Sequence, residues 1–173
     1  PFVQIAGEPD RYAMCARVGG KVSCWGLTPL SPRSFNEGLI DFSVNYDGIL
    51  CVVLQTGELR CYGGTSSDLL TGLEPSIQDG TKVGIARKHG CVVKLDGSLE
   101  CWSSNNEYQT PDLSEFGEIK KLISGRYRIC ALYAKALVCW SDTSMQKITS
   151  SSRLLAADVD GIGCASFAGV DPT

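Results

Sequence analysis

Histidine is nearly missing from this sequence, with His89 as the one copy among 173 residues. A single imidazole excludes metal sites built on several histidines and leaves little scope for imidazole-based catalysis. Long apolar runs are missing as well, since no stretch approaches the roughly 18 apolar residues of a membrane-spanning helix. Phosphate-binding loops, nucleophile elbows and zinc-protease motifs are also absent. We therefore expect no cofactor, no metal, no membrane span and no enzymatic activity.

Positive charge is modest, with 16 Lys and Arg against 19 Asp and Glu and a formal net charge of −3. A general nucleic-acid binder needs a dense basic surface, so nucleic acid is not an expected partner. Hydrophobic residues make up 43% of the chain, too large a share for a disordered protein. Among the carboxylates, the sequence singles out no pair for glycoside hydrolysis. The composition indicates a folded domain.

Cysteine is the residue type in excess, with nine copies. Eight form four close pairs, and Cys164 stands alone as the first member of a fifth. Steps between first members are 36, 40, 39 and 34 residues, and steps between second members are 37, 40 and 38. A nearly fixed period marks a repeat architecture. The four complete copies read CARVGGKVSCWG, CVVLQTGELRCYGG, CVVKLDGSLECWSS and CALYAKALVCWSD.

Each copy has two apolar strands around a short polar tip, which predicts a β-hairpin. Two-residue turns in the first and fourth copies, and three-residue loops ending at Gly57 and Gly97, place the two cysteines of each copy opposite one another. These positions are non-hydrogen-bonded sites, where Cα atoms lie about 4.5 Å apart, within disulfide reach. The fourth turn, Ala134-Lys135, lacks the Gly or Asn typical of such turns. The expected disulfides are Cys15–Cys24, Cys51–Cys61, Cys91–Cys101 and Cys130–Cys139.

Two alternatives stay open for these cysteines. A zinc site favours C-x2–4-C spacings or added histidine, whereas the spacing here is longer and only His89 is available. Reduced cysteines can also be buried as small apolar side chains. Disulfides persist in oxidising compartments, so the pairing predicts an extracellular protein, either secreted or an ectodomain.

Another apolar stretch precedes each hairpin, and the connections are rich in Gly, Ser and Pro, which excludes long helices there. Strand-rich units of about 38 residues have the size of a β-propeller blade, while β-solenoid coils are usually shorter. The sequence predicts an all-β, propeller-like repeat domain over 1–173, with four full copies and a half copy. The expected repeats are 1–37, 38–79, 80–117, 118–153 and 154–173.

The repeat unit resembles that of the regulator of chromosome condensation family of β-propellers. It is closer to cysteine-paired extracellular variants, such as the ectodomain repeats of Crinkly-type plant receptor kinases. Glycine after the aromatic is replaced by Ser103 and Ser141, and the Gly-Gln-Leu-Gly stretch of the nuclear members is absent, which argues against nucleotide exchange. The resemblance implies a propeller fold. The matching residues are Cys15, Cys24, Trp25 and Gly26; Cys51, Gly57, Cys61, Tyr62 and Gly63; Cys91, Asp96, Gly97, Cys101 and Trp102; and Cys130, Ala131, Leu132, Cys139 and Trp140.

The fifth copy is incomplete. Cys164 needs a partner nine or ten positions on, at 173 or 174, and position 173 is Thr. We therefore expect Cys164 to be unpaired or bonded outside this chain. In the second case either further protein supplies the partner together with additional blades, or Cys164 bonds another chain in an assembly.

One aromatic residue follows the second cysteine of every complete copy, and it has two interpretations. The four side chains contact a ligand, stacking on sugars or peptide groups, or they pack between adjacent blades beside the disulfides, which we favour. His89 occupies a position that varies between copies, which predicts a solvated or edge residue. Five basic residues between 120 and 135 predict a solvated face. The aromatics are Trp25, Tyr62, Trp102 and Trp140.

The expected function is non-enzymatic recognition or adhesion, with a protein or peptide bound through propeller loops. One alternative is a carbohydrate-binding lectin, and another is a structural subunit of an extracellular filament or coat, assembled through Cys164 or the missing blades. Lectins built from repeats keep the same polar residues in every copy. Here loops such as LTPLSPRS and GTSSDLLT share only Ser/Thr richness. This divergence favours a single protein partner over repeated glycan sites.

Overall fold

The structure is a computed structural model that describes residues 3–7, 14–18, 20–25, 33–34, 38–45, 47–63, 74–104, 110–141, 145–149, 154–157 and 165–167. These residues form strands and turns, together with one 3-10 helical turn at Ser114–Phe116. The described chain is therefore all-β, as the hairpin pattern predicts. Its strands make five antiparallel sheets.

Each sheet is a meander, in which strands that follow one another in sequence pair side by side. Sheet 1 contains β1 (Val3–Gly7), β2 (Met14–Val18), β3 (Lys21–Trp25) and β4 (Arg33–Ser34). Sheet 2 contains β5 (Leu39–Val44), β6 (Ile49–Leu54) and β7 (Leu59–Gly63), and sheet 3 contains β8 (Gly80–Ile85), β9 (His89–Lys94) and β10 (Leu99–Ser103). Sheet 4 contains β11 (Lys121–Ser124), β12 (Ile129–Leu132), β13 (Ala136–Trp140) and β14 (Met145–Thr149), and sheet 5 contains β15 (Leu154–Ala157) and β16 (Ala165–Phe167).

Turn chemistry sets the register of the hairpins in sheets 2 and 3. Gly57 and Gly97 have φ values of 88° and 86°, a left-handed conformation that glycine adopts without steric cost. The Leu54 N–H donates to the Glu58 carbonyl at 2.9 Å across the first of these loops. Since bonded and non-bonded pairs alternate along an antiparallel ladder, the cysteine pair three positions further on is non-hydrogen-bonded, as predicted.

The fourth hairpin reaches its predicted register through a different kind of turn. The Tyr133 N–H donates to the Ala136 carbonyl at 2.8 Å, which closes a two-residue turn. No non-glycine residue in the described ranges has a positive φ, so Ala134 and Lys135 turn the chain without the conformation that primed turns require. The register is nevertheless the predicted one, with Cys130 opposite Cys139.

Four disulfides cross-link the two strands of the four hairpins. They are the pairs predicted by counting residues from each turn. In each pair the Cα atoms lie 4.0 or 4.1 Å apart, slightly closer than the spacing expected for a non-hydrogen-bonded pair. Cys164 lies outside the described residues. The bonded pairs are Cys15–Cys24, Cys51–Cys61, Cys91–Cys101 and Cys130–Cys139.

Consecutive sheets pack through one repeated arrangement. Because neighbouring residues on a strand point to opposite faces, sheets 1 to 4 each have a disulfide face and an aromatic face. The disulfide face of sheet 1 packs on the aromatic face of sheet 2, and sheets 2 and 3 and sheets 3 and 4 follow the same order. The hydrophobic core is therefore divided among the spaces between sheets. The residues that share these spaces are Cys15 with Tyr62, Cys51 with Trp102, and Cys91 with Trp140.

The disulfide face of sheet 4 is also buried. Cys130, Leu132, Leu137 and Cys139 form a fourth apolar cluster on this face. Strands β12 and β13 contact β15, so sheet 5 lies on the side where the pattern of the earlier sheets places the next one.

The first strands of successive sheets lie next to each other and share hydrogen bonds. Strand β5 contacts β8, and β8 contacts β11. The Ile85 N–H of β8 donates to the Ser43 hydroxyl of β5 at 3.2 Å and to the Ser124 hydroxyl of β11 at 2.9 Å, and the two hydroxyl oxygens lie 2.7 Å apart. These hydroxyls satisfy a backbone N–H on an edge strand, which has no strand partner on that side.

Candidate functional site

The four equivalent aromatic residues differ sharply in exposure. Trp102 and Trp140 are buried, with 7% and 2% of their surface exposed, and Tyr62 is partly buried. All three lie against the disulfide face of the preceding sheet. Trp25, on sheet 1, has no preceding sheet among the described residues and is 50% exposed. Packing between sheets therefore explains the position of three of these four aromatic side chains. Trp25 is the one of the four that exposes a large part of its ring to solvent.

The pairing of Gly90 with Trp102 supports a first prediction. Gly90 lies opposite Trp102 in the β-ladder. A Cβ atom added to Gly90 would lie 2.6 Å from Cε2 of the Trp102 ring, which is closer than van der Waals contact allows. We expect Gly90→Ala to lower the free energy of unfolding by about 1–3 kcal/mol, because the packed ring must shift. Urea denaturation with the disulfides intact measures this loss. In a Trp102→Phe background the smaller ring should reduce the cost, and an equal cost in both backgrounds would contradict the proposed clash.

Tyr133 is another buried aromatic residue, and its hydroxyl is a titratable group. Its ring packs against Phe116 with centroids 5.3 Å apart, and its hydroxyl has no hydrogen-bond partner among the described residues. Burial raises the pKa of Tyr133 to about 12, because the charged phenolate loses its hydration there.

This raised pKa predicts a loss of stability in alkali. Below pH 10 both the folded and the unfolded states keep the phenolic proton, so stability is unaffected by this group. Between about 10 and 12 the unfolded state releases the proton while the folded state holds it, and stability falls as pH rises. Urea denaturation at a series of pH values should show a weaker alkaline loss for Tyr133→Phe than for the parent. Equal alkaline losses for Tyr133→Phe and the parent would contradict the prediction.

The expectation that His89 is a solvated or edge residue is wrong. His89 begins β9, the central strand of sheet 3, and only 1% of its surface is exposed. It lies two residues before Cys91 and therefore points to the same disulfide face, toward sheet 4. Variation between repeats hid this burial, since the equivalent position is Ala13, Ile49, Arg128 or Ile162 in the other copies.

Within the described residues, no group of three or more His, Cys, Asp or Glu is arranged to hold a metal ion. The same part of the chain has no helix of the length and apolar character needed to cross a bilayer.

The turns after β5, β8 and β11 lie together at one edge of the molecule, which we call the loop edge. Asn45, whose side chain is buried, connects the first two turns. Its Oδ1 accepts hydrogen bonds from the N–H groups of Asp47 and Ile49, and its Nδ2 donates to the Ala86 carbonyl at 3.0 Å. The Arg87 N–H donates to the Arg126 carbonyl at 2.9 Å and connects the second turn to the third. The loop edge is therefore a hydrogen-bonded unit.

Cations from two repeats meet at this edge. Residues 86–88 and 125–128, which we call the cationic turn pair, carry four of them: Arg87, Lys88, Arg126 and Arg128. Arg87 Nε lies 3.3 Å from Asp47 Oδ2, and this carboxylate raises the pKa of Arg87. The Arg126 guanidinium lies 5.0 Å from the centre of the Tyr127 ring, which is 52% exposed.

The five basic residues between positions 120 and 135 do not form one surface in the structure, because they lie at two opposite ends of sheet 4. Arg126 and Arg128 lie at the loop edge, whereas Lys121 and Lys135 lie at the opposite end of sheet 4, where β11 begins and the β12–β13 turn projects. Lys120 is also at that end, paired with Glu118. Sequence reasoning missed Arg87 and Lys88 as neighbours of Arg126 because they are one repeat away. The repeat period of about 38 residues was the signal that relates the two turns.

Several other cations are matched by nearby carboxylates. Arg60 pairs with Glu58 at 2.6 Å, and this hydrogen bond lowers the pKa of Glu58. Lys94 pairs with Glu100 at 3.1 Å, and the carboxylate raises the pKa of Lys94. Such exposed pairs contribute little to stability, but they neutralise charge locally.

The structure is similar to the crystal structure of the entire ectodomain of the receptor kinase CR4 from Physcomitrella patens, with a TM-score of 0.58 and 19% sequence identity. The match covers 88% of this chain and 43% of that ectodomain, so the chain spans less than half of its length. No family model and no curated protein matches the sequence. At this identity the likeness shows a shared fold, and it agrees with the resemblance of the disulfide-paired repeats to receptor kinase ectodomains.

Proposed function

We propose that the protein is a non-enzymatic extracellular recognition module that binds a protein or peptide through the loops of its repeats. The observation that carries this proposal is the loop edge, where hydrogen bonds join turns from three successive sheets into one surface. A surface held in this way loses little conformational entropy on binding. Four disulfides and the likeness to a receptor ectodomain point to an extracellular location.

We also propose that the sheets are blades of a propeller of the chromosome-condensation-regulator type, with repeats at 1–37, 38–79, 80–117, 118–153 and 154–173. Support comes from the directional packing, in which the disulfide faces of sheets 1, 2 and 3 meet the aromatic faces of sheets 2, 3 and 4. In this arrangement the exposed aromatic face around Trp25 would receive the disulfide face of another blade. Electron microscopy of the purified protein tests this arrangement: blades around an axis agree with it, and a straight stack of sheets contradicts it.

Binding arrays test the recognition function and its main rival. The folded protein is applied to an array of extracellular proteins and to a glycan array, with reduced and alkylated protein as the control. We expect saturable binding to a protein, lost on reduction, and no saturable glycan binding. Binding to glycans alone would replace the proposal with a lectin. Burial of Trp102 and Trp140 already argues against sugar stacking on those two residues.

A further inference from the structure

The aromatic face of sheet 1 is a largely apolar surface that is open to solvent. Val18 is 54% exposed, and Trp25 is half exposed. The same face of sheet 4, whose hairpin also has a two-residue turn, is packed, with each of its residues at most 7% exposed. The sheet 1 face therefore has the composition of an interface without a sheet to cover it. Its residues are Met14, Ala16, Val18, Lys21, Ser23 and Trp25, and their equivalents in sheet 4 are Ile129, Ala131, Tyr133, Ala136, Val138 and Trp140.

The three interfaces inside the molecule show what an aromatic face packs against. The aromatic faces of sheets 2, 3 and 4 each receive the disulfide face of the preceding sheet. At the first of these interfaces, Cys15 and Val22 of sheet 1 share a buried cluster with Leu50 of sheet 2. Sheet 5 does not cover sheet 1 within one copy, because Val18 and Trp25 stay exposed with the whole chain in place.

Sheet 5 lies at the other end of the series. Strand β15 contacts β12 and β13, so one face of sheet 5 lies toward the disulfide face of sheet 4. A sheet has two faces, and the second face of sheet 5 therefore points away from sheet 4. The described residues contain no sixth sheet to follow it. In the order of the first four sheets, this second face takes the place of the disulfide face of the fifth repeat, to which Cys164 belongs.

We propose that the aromatic face of sheet 1 binds sheet 5 of a second copy of this chain, head to tail. The contact continues the order of the three internal interfaces from one molecule to the next, and it removes the exposed surfaces of Val18 and Trp25 from water. Tryptophan is also enriched at the centres of protein–protein interfaces. The two surfaces that meet are different, so the copies either close into a ring or extend as a filament. The inference rests on the proposed blade arrangement and names the sheet that covers Trp25.

Sedimentation velocity over a series of protein concentrations tests the association. The measurement uses a Cys164→Ser background, which removes disulfide-linked dimers as a source of larger species. We expect the sedimentation coefficient to rise with concentration. Val18→Lys/Trp25→Lys should weaken the association at least about tenfold, because two cations would have to be buried in an apolar interface. The matched control is Leu95→Lys/Met145→Lys, which changes two exposed apolar residues of sheets 3 and 4 and should stay within about twofold of the background.

Photo-cross-linking identifies the surface that the second copy contributes. The variant Trp25→benzoylphenylalanine is mixed with isotope-labelled protein and irradiated, and the cross-linked peptides are identified by mass spectrometry. We expect cross-links from position 25 of one copy to the segment 154–167 of another. Cross-links between copies to any other segment would overturn the proposal.

Two results of the sedimentation experiment would also overturn it: a monomer at every concentration up to about 1 mM, or equal losses of association in the two double variants. The outcome is distinguishable from failure of the blade arrangement. A protein that stays monomeric while electron microscopy shows blades around an axis rejects the second copy as the partner of sheet 1 and leaves the blade arrangement standing.

Discussion

Replacing Trp140 with alanine is expected to lower the free energy of unfolding by about 3–5 kcal/mol. The indole is 2% exposed and fills the space between sheets 3 and 4, in the same cluster as Cys91. Its removal leaves a cavity whose walls belong to two sheets, both held in place by their own disulfides and strand pairing, so they cannot fully collapse into the space. Urea denaturation under non-reducing conditions measures the loss.

Trp25→Ala is the matched control for this substitution. Trp25 and Trp140 each follow the second cysteine of a hairpin and lie in the same ladder position, opposite Met14 and Ile129 respectively. Trp25 is half exposed, so its truncation should cost no more than about 1 kcal/mol. The difference between the two variants reports the contribution of the sheet interface. A loss of several kcal/mol for Trp25→Ala would mean that another sheet covers this face in solution.

Removing one disulfide should lower the free energy of unfolding by nearly as much as Trp140→Ala. We expect Cys91→Ala/Cys101→Ala to lower the free energy of unfolding by about 2–4 kcal/mol, because the cross-link restricts the unfolded chain over a separation of 10 residues. Burial of Cys91 adds a packing loss, since the removed sulfur atoms line the same cluster as Trp140. Urea denaturation measures the change, and non-reducing peptide mapping must show the other three disulfides intact.

A comparison within the protein separates these two contributions. Cys15→Ala/Cys24→Ala opens a loop of nearly the same length, with a separation of 9 residues, in sheet 1. The restriction of the unfolded chain is therefore almost equal for the two pairs, and any difference between the variants arises from packing in the folded protein. An unchanged unfolding midpoint in both variants would show that the staples do not stabilise the fold.

Hairpin register was predictable because its causes are local. Gly57 and Gly97 occupy the left-handed position of their loops. Once each loop is located in the sequence, counting residues along its two short strands places the two cysteines opposite each other. The same counting succeeded at Ala134 and Lys135 despite their unfavourable turn residues, because the chain there still closes a two-residue turn between Tyr133 and Ala136.

Packing between repeats was not predictable in the same way. Whether an aromatic residue is buried depends on a sheet about 38 residues earlier, and nothing in the sequence near Trp25 distinguishes it from Trp140. His89 shows the same limit, because its burial comes from its place in a central strand facing sheet 4. The loop edge depends on contacts such as that from Arg87 N–H to the Arg126 carbonyl, between residues 39 positions apart. Local patterns carry no information about such contacts.

The use of opposite faces at the three interfaces between sheets 1 and 4 has a consequence for how such a chain can change in evolution. Within this series each sheet offers a disulfide face to the next sheet, which receives it on its aromatic face. An in-frame duplication or deletion of one complete repeat therefore brings together two faces of complementary kind, whichever copy is gained or lost. Copy number can vary by whole units without a new interface having to arise, whereas reversing a single unit would set two disulfide faces or two aromatic faces against each other.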